Sequence, residues 1–205
     1  MSSEYSYLVP VENLMVSGIQ IGTRIKTKDM EPYIYKVRPD GLFIIDTRKT
    51  DERIRIAAKF LANFPPERIA VVSFRLYGQQ PVRKFCELTG TIPIIGRFPP
   101  GAFTNPLCPS YVEPQVVVVT DPVADEQALI EAAKVGLPVV ALCDTDNTFR
   151  NVDLIIPANN KGRKALAMVY WLLAQQLLRE RGIISPDATL QVPVEEFETK
   201  LTPPS

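Results

Sequence analysis

Histidine is missing from this 205-residue chain altogether. Its absence removes the commonest general base, the Ser-His and Cys-His nucleophile pairs, and most zinc sites. Cysteine is scarce. Cys86, Cys108 and Cys143 are odd in number and scattered, which fits neither a disulfide framework nor a metal knuckle, and they read as small buried hydrophobes. No run approaches the roughly 20 apolar residues of a membrane helix, and the most apolar stretch, Ala165 to Leu178, is broken by Gln175 and Gln176. Met1 to Tyr7 carries an acid and no basic-then-apolar leader pattern, so a cytoplasmic location is expected. Internal repeats, low-complexity blocks and glycine-rich nucleotide fingerprints are also lacking.

The chain lacks net charge as well, with 23 basic and 23 acidic side chains. Their distribution is uneven. Residues 16–100 hold 15 Lys/Arg against 8 Asp/Glu, residues 101–158 hold 2 against 8, and residues 159–182 return to 5 against 1. A neutral total therefore covers a basic half, which is what a phosphate backbone needs.

What is present is a chain of 46% hydrophobic residues, long enough for one well-buried core. Three β-branched apolar runs, Val116–Val119, Val139–Leu142 and Val152–Ile156, are too short for helices. Between the first two, Ala128, Leu129, Ala132 and Val135 recur at helical spacing. Strand, helix, strand in this order predicts a right-handed crossover and a parallel sheet covered on both faces. Upstream, the pattern predicts a short helix over 11–16 ending at Gly18 and a basic irregular segment over 24–38. A strand at Gly41–Asp46 comes next, then a helix over 51–64 capped by Thr50. Strands at Ile69–Phe74 and Thr91–Ile95 flank a helix over 80–88, and a proline-rich loop follows from Phe98 to Pro114. The last helix is expected over Lys161–Gly182. The domain reading is one α/β unit over 1–182, with a proline-punctuated acidic tail over 183–205 that docks on something and stands outside the core.

Ligands of parallel sheets gather at the carboxyl ends of the strands, where Asp121, Asp144, Asp146 and Asn159–Lys164 should sit. Asp144 and Asp146 could hold a divalent metal, yet paired acids after a strand are commonly loop caps. Asp121-Pro122 followed by Asp125 and Glu126 equally suits a helix start. Asn159, Asn160, Lys161, Arg163 and Lys164 open a helix whose free N–H groups attract anions, and they are read as phosphate contacts. Arg24, Lys26 and Lys28 alternate along an extended segment and would present three cations on one side. Arg48 and Lys49 follow a strand directly. These five are read as backbone-phosphate contacts too.

Several phrases then occur in order: Gly18-Ile19-Gln20-Ile21-Gly22-Thr23, Met30-Glu31-Pro32-Tyr33-Ile34, Phe103-Thr104-Asn105-Pro106, Val118-Val119-Thr120-Asp121-Pro122, Gly136-Leu137-Pro138 through Asp146, and Asp153 through Gly162. Together they resemble the family of ribosomal protein two of the small subunit, in its archaeal and eukaryotic form (the laminin-receptor-like branch). Gln20 stands where members of that family usually carry histidine. The resemblance covers about Val11 to Arg181. It implies a three-layer flavodoxin-like α/β fold, no catalytic activity, no cofactor and no metal. The implied partners are small-subunit ribosomal RNA and neighbouring small-subunit ribosomal proteins, with no membrane and no small-molecule substrate. The expectation is a structural constituent of the small ribosomal subunit that supports assembly and translation. The alternative is a small metal-dependent enzyme acting on a phosphorylated or nucleotide-sugar ligand, and a third possibility is a scaffold binding protein alone through its acidic tail.

Overall fold

The computed structural model describes residues 7–200. The leader reading, except at Tyr7, and the last five residues of the tail lie outside the described residues.

A short helix α1 (Val11–Ser17) ends at Gly18, whose φ of 72° is the left-handed cap that glycine adopts without a Cβ penalty. The basic segment leads into an antiparallel hairpin, β1 (Ile34–Val37) and β2 (Phe43–Ile45). The predicted strand over 41–46 is thus present but belongs to this hairpin, apart from the main sheet. Helix α2 (Thr47–Leu61) starts three residues before the predicted cap, because the Asp46 carboxylate accepts from Arg48 N. Thr50 instead ties α2 to the last strand, its hydroxyl donating to Pro157 O at 2.6 Å.

The parallel sheet is built from β3 (Ile69–Ser73), β4 (Ile92–Ile95), β5 (Val116–Val119), β6 (Val139–Cys143) and β7 (Leu154–Pro157). Their spatial order is β4-β3-β5-β6-β7, all parallel. Counted within the sheet this is 2-1-3-4-5, the flavodoxin-like doubly wound order. Alternation along each strand divides the core in two. Val116, Val118, Val140 and Leu142 face α2, α3 (Leu76–Thr89) and α5 (Arg163–Glu180). Val117, Val119, Val139 and Ala141 face α4 (Glu126–Val135) and the proline-rich loop. Burial on both faces explains why the strands read as continuous apolar runs.

Helix α5 is apolar all round because it lies between α2, α3 and the sheet. Two of its ring side chains are partnered: Tyr170 Oη lies 2.7 Å from Thr120 Oγ1, and Trp171 Nε1 donates to Val192 O at 2.7 Å. That second bond belongs to residues 183–200, which return across the domain. Gln175 Oε1 accepts from Leu190 N, the Arg179 guanidinium donates to Ala188 O, and Phe197 is fully buried in the core. The described part of the tail therefore docks on its own domain, and Phe197 corrects the reading that kept this segment outside the core.

No helix covers the crossover from β4 to β5. The loop over 98–114 takes that place, burying Phe98, Ala102 and Phe103 against the sheet. Glu131 of α4 holds it by accepting from Gly101 N at 2.7 Å, Phe103 N at 3.1 Å and Thr104 Oγ1. Burial works against this carboxylate, but those donors and Gln127 outweigh it and hold the pKa below the usual glutamate range.

Candidate nucleic-acid interface

At the carboxyl edge of the sheet, side chains from distant parts of the sequence form one buried polar network. Asp121 receives the Arg75 guanidinium, Asn147 Nδ2 at 3.1 Å and Val123 N at 3.0 Å. Asp125 accepts from Phe74 N at 2.7 Å and Asp121 N at 3.1 Å, and burial pushes its pKa up to about 6. Asn147 Oδ1 accepts from Asp144 N and from Asn160 Nδ2, which also donates to Leu142 O. Asp144 caps Thr145 N with one oxygen and meets Lys161 Nζ at 2.9 Å with the other. Lys161 Nζ also lies 2.6 Å from Asp146 Oδ1.

This arrangement decides between the readings of the acids. A metal site needs carboxylate oxygens turned toward a common vacancy. Here Lys161 sits between Asp144 and Asp146, and the oxygens of Asp121 are committed to Arg75, Asn147 and Val123 N. Burial raises the pKa of Asp144, while the Lys161 hydrogen bond and charge oppose that. Burial also disfavours the Lys161 ammonium, but its bonds to Asp146 and Asp144 outweigh this and raise its pKa. The acids hold loops together.

The N-terminal basic segment lies over this edge. Thr23 N donates to Thr145 Oγ1, Thr27 N donates to Thr145 O, and the Thr27 hydroxyl donates to Asn147 O at 2.7 Å. Phe149 N donates to Asp29 Oδ2 at 3.1 Å. Gly22 permits the approach: a Cβ there would fall 2.5 Å from Thr145 Cγ2 and 2.9 Å from Phe43 O. Arg24 and Lys28 remain exposed and carry no salt bridge among the described residues. Lys26 is exposed and paired with Glu31 at 2.5 Å, a contact worth little in water. Strict alternation along the segment stops before Lys28, which closes a turn with Glu31 N. Arg48 is exposed at the start of α2. Lys49 instead serves the fold, donating to Pro32 O and lying 5.8 Å from the Tyr33 ring centroid.

The start of α5 differs from a simple anion-binding helix end. Asn159 Oδ1 accepts from Lys161 N and Gly162 N, so these donors are taken. Asn160 is fully buried within the network. Arg163 pairs with Glu198 of the returning segment at 2.7 Å. Lys164 alone of this group is exposed and without a salt bridge among the described residues. Sequence reasoning missed Arg75 and Asn147. Asn147, three residues after Asp144, carried a turn signal that could have marked it, whereas Arg75 offered none.

The domain is therefore a doubly wound α/β sheet whose edge acids are locked internally and whose cations Arg24, Lys28 and Lys164 are exposed. Residues 109–179 match a family model described as Ribosomal protein S2. The chain is 60% identical over 193 residues to the small ribosomal subunit protein uS2 of Staphylothermus marinus, covering 94% of this chain and 88% of that protein. It is 54% identical over 198 residues to the protein of that name from Thermofilum pendens, covering 97% and 92%. The corresponding protein of Ignicoccus hospitalis is 56% identical over 197 residues, covering 95% and 93%. The chain belongs to the ribosomal protein S2 family, which comprises structural proteins and not enzymes, as the sequence resemblance implied.

Proposed function

We propose that this protein is a structural constituent of the small ribosomal subunit, working in the cytoplasm and docking a basic face on folded small-subunit ribosomal RNA beside neighbouring ribosomal proteins. The observation that carries the RNA contact is the contrast at the carboxyl edge. Every buried carboxylate there has an internal donor, while Arg24 and Lys28 stand exposed on a segment pinned over the same edge by Thr23 and Thr27. Lys164 extends the exposed cations to the start of α5, and Arg48 is exposed at the start of α2, where it also has an interaction within the chain. Asn159, Asn160 and Lys161 support this face from beneath by holding its loops, and Lys26, Lys49 and Arg163 are already partnered within the chain.

Affinity comes mainly from phosphate contacts and counterion release, and shape selects the site. The test is sedimentation of tagged protein from a native lysate through sucrose gradients at low and high salt. Co-migration with small subunits that weakens as salt rises is the expected result. A slowly sedimenting monomer at low salt would overturn the proposal.

A further inference from the structure

The carboxyl edge carries a second surface that the basic segment does not cover. Between the start of α4 and the loop over 148–151 lies a socket of about 220 Å³, with Val123, Leu129 and Ile130 in its wall and Arg150 at its rim. Val123 is 66% exposed, and Arg150 has no salt bridge among the described residues. On the same edge, at the end of β3, stands a ridge of exposed apolar side chains, Phe74 and Leu76, flanking Arg75. Ridge and socket are linked by part-buried bonds: Arg75 reaches Asp121, which caps Val123 N, and Asp125 accepts from Phe74 N. Preorganisation of this kind lowers the ordering cost of binding.

Three observations choose the occupant. The socket is smaller than the roughly 300–1,000 Å³ of small-molecule sites, so it suits one side chain. Its apolar lining is Pro122, Val123, Leu129 and Ile130, and the exposed ring of Phe74 stands on the ridge and not among the socket's lining residues, so the socket itself has no face on which a base could stack. Its unpaired cation, Arg150, complements a carboxylate, and Arg97, adjacent to Gly96 whose N–H donates to Ser73 O, adds a second cation near the ridge. Glu126 is the single acid among the lining residues. Aliphatic and aromatic anchors with arginine beside them are the composition of a protein–protein contact.

We infer that this socket and ridge dock an extended segment of a protein neighbour, seating one aliphatic side chain over Val123 with a carboxylate on Arg150. The inference rests on the ribosomal reading above and adds the surface and the chemistry of its partner.

The test places the photoreactive residue benzoylphenylalanine at Val123, and separately at Lys164, in the full-length chain incorporated into small subunits. The expected result is a Val123 adduct with a protein segment in which an acid lies within a few residues of the cross-linked aliphatic position. Arg150→Glu should reduce that adduct about tenfold and leave the Lys164 adduct unchanged. A Val123 adduct with RNA, no adduct in sedimenting subunits, or a protein adduct insensitive to Arg150→Glu would overturn the inference. Failure of the labelled chains to sediment with subunits at all would overturn the ribosomal reading, and this inference with it.

Discussion

Lys161 Nζ lies 2.9 Å from Asp144 Oδ2, so a cation that the sequence offers as a phosphate ligand is already bonded to a buried carboxylate. Removing one partner of such a pair leaves the other unpaired where water cannot fully replace it. Lys161→Ala should therefore destabilise the fold by about 1–3 kcal/mol, at the lower end of the range because the lysine is partly exposed. Lys164→Ala should change stability by less than about 0.5 kcal/mol. Urea unfolding of the two variants checks this, and equal midpoints would refute the division of roles.

Arg24 and Lys28 are expected to act on binding without acting on folding. Each change to alanine should lower RNA affinity across sequences and reduce the salt slope by about one unit. Filter binding over a salt series reads both quantities. A slope unchanged in the double variant would remove this segment from the interface.

Gly22→Ala should detach the basic segment, since the added methyl meets Thr145 Cγ2 at 2.5 Å and the Phe43 carbonyl at 2.9 Å. Overpacking of this kind costs about 1–3 kcal/mol. Amide exchange should quicken at Thr23 and Thr27, whose N–H groups bond Thr145, while the β5 amides keep their protection. Uniform protection in the variant would contradict the close approach.

Phe197→Ala should cost about 3–5 kcal/mol, the range for an aromatic side chain lost from a packed core. Glu195→Gln, outside the core in the same turn, should be close to neutral. Thermal melts compare the two. A phenylalanine variant as stable as the parent would mean that the returning segment is not part of the domain.

Asp125 makes stability depend on pH. Its folded pKa is raised to about 6 from an ordinary aspartate value near 3.8, so between those values the folded state holds more protons than the unfolded. Stability from this group is then greatest below about pH 4 and falls as pH rises to 6, by about 2–3 kcal/mol in all. In Asp125→Asn the dependence over that window should shrink by this amount, with an overall loss because an amide oxygen cannot serve both Phe74 N and Asp121 N. Parallel pH profiles of parent and variant would rule out Asp125 as the source.

The parallel sheet and its helices were legible because their signals are local. A run such as Val116–Val119 can only be a buried strand when turn residues bound it, and Ala128, Leu129 and Ala132 define a helix face without help from elsewhere. The structural role of Asp121, Asp144 and Asp146 was also within reach, since acids after strands cap turns. Misassignments arose where a distant partner competed for a residue. Thr50 resembled a helix cap until Pro157 O took its hydroxyl, 107 positions away.

What the sequence determined by itself is the class of fold, the uneven division of charge and the family, all of which depend on composition and order. Which cations are available to a partner was decided only by tertiary structure. Asn160 and Lys161 lie beside the exposed Lys164, yet Asn147 and Asp144 draw them into the buried network. Thr145 fixes Thr23 from 122 positions away, and with it the place of Arg24. The physical reason is that a charge is spent or free according to what folding brings within hydrogen-bond reach, and no local pattern encodes that distance.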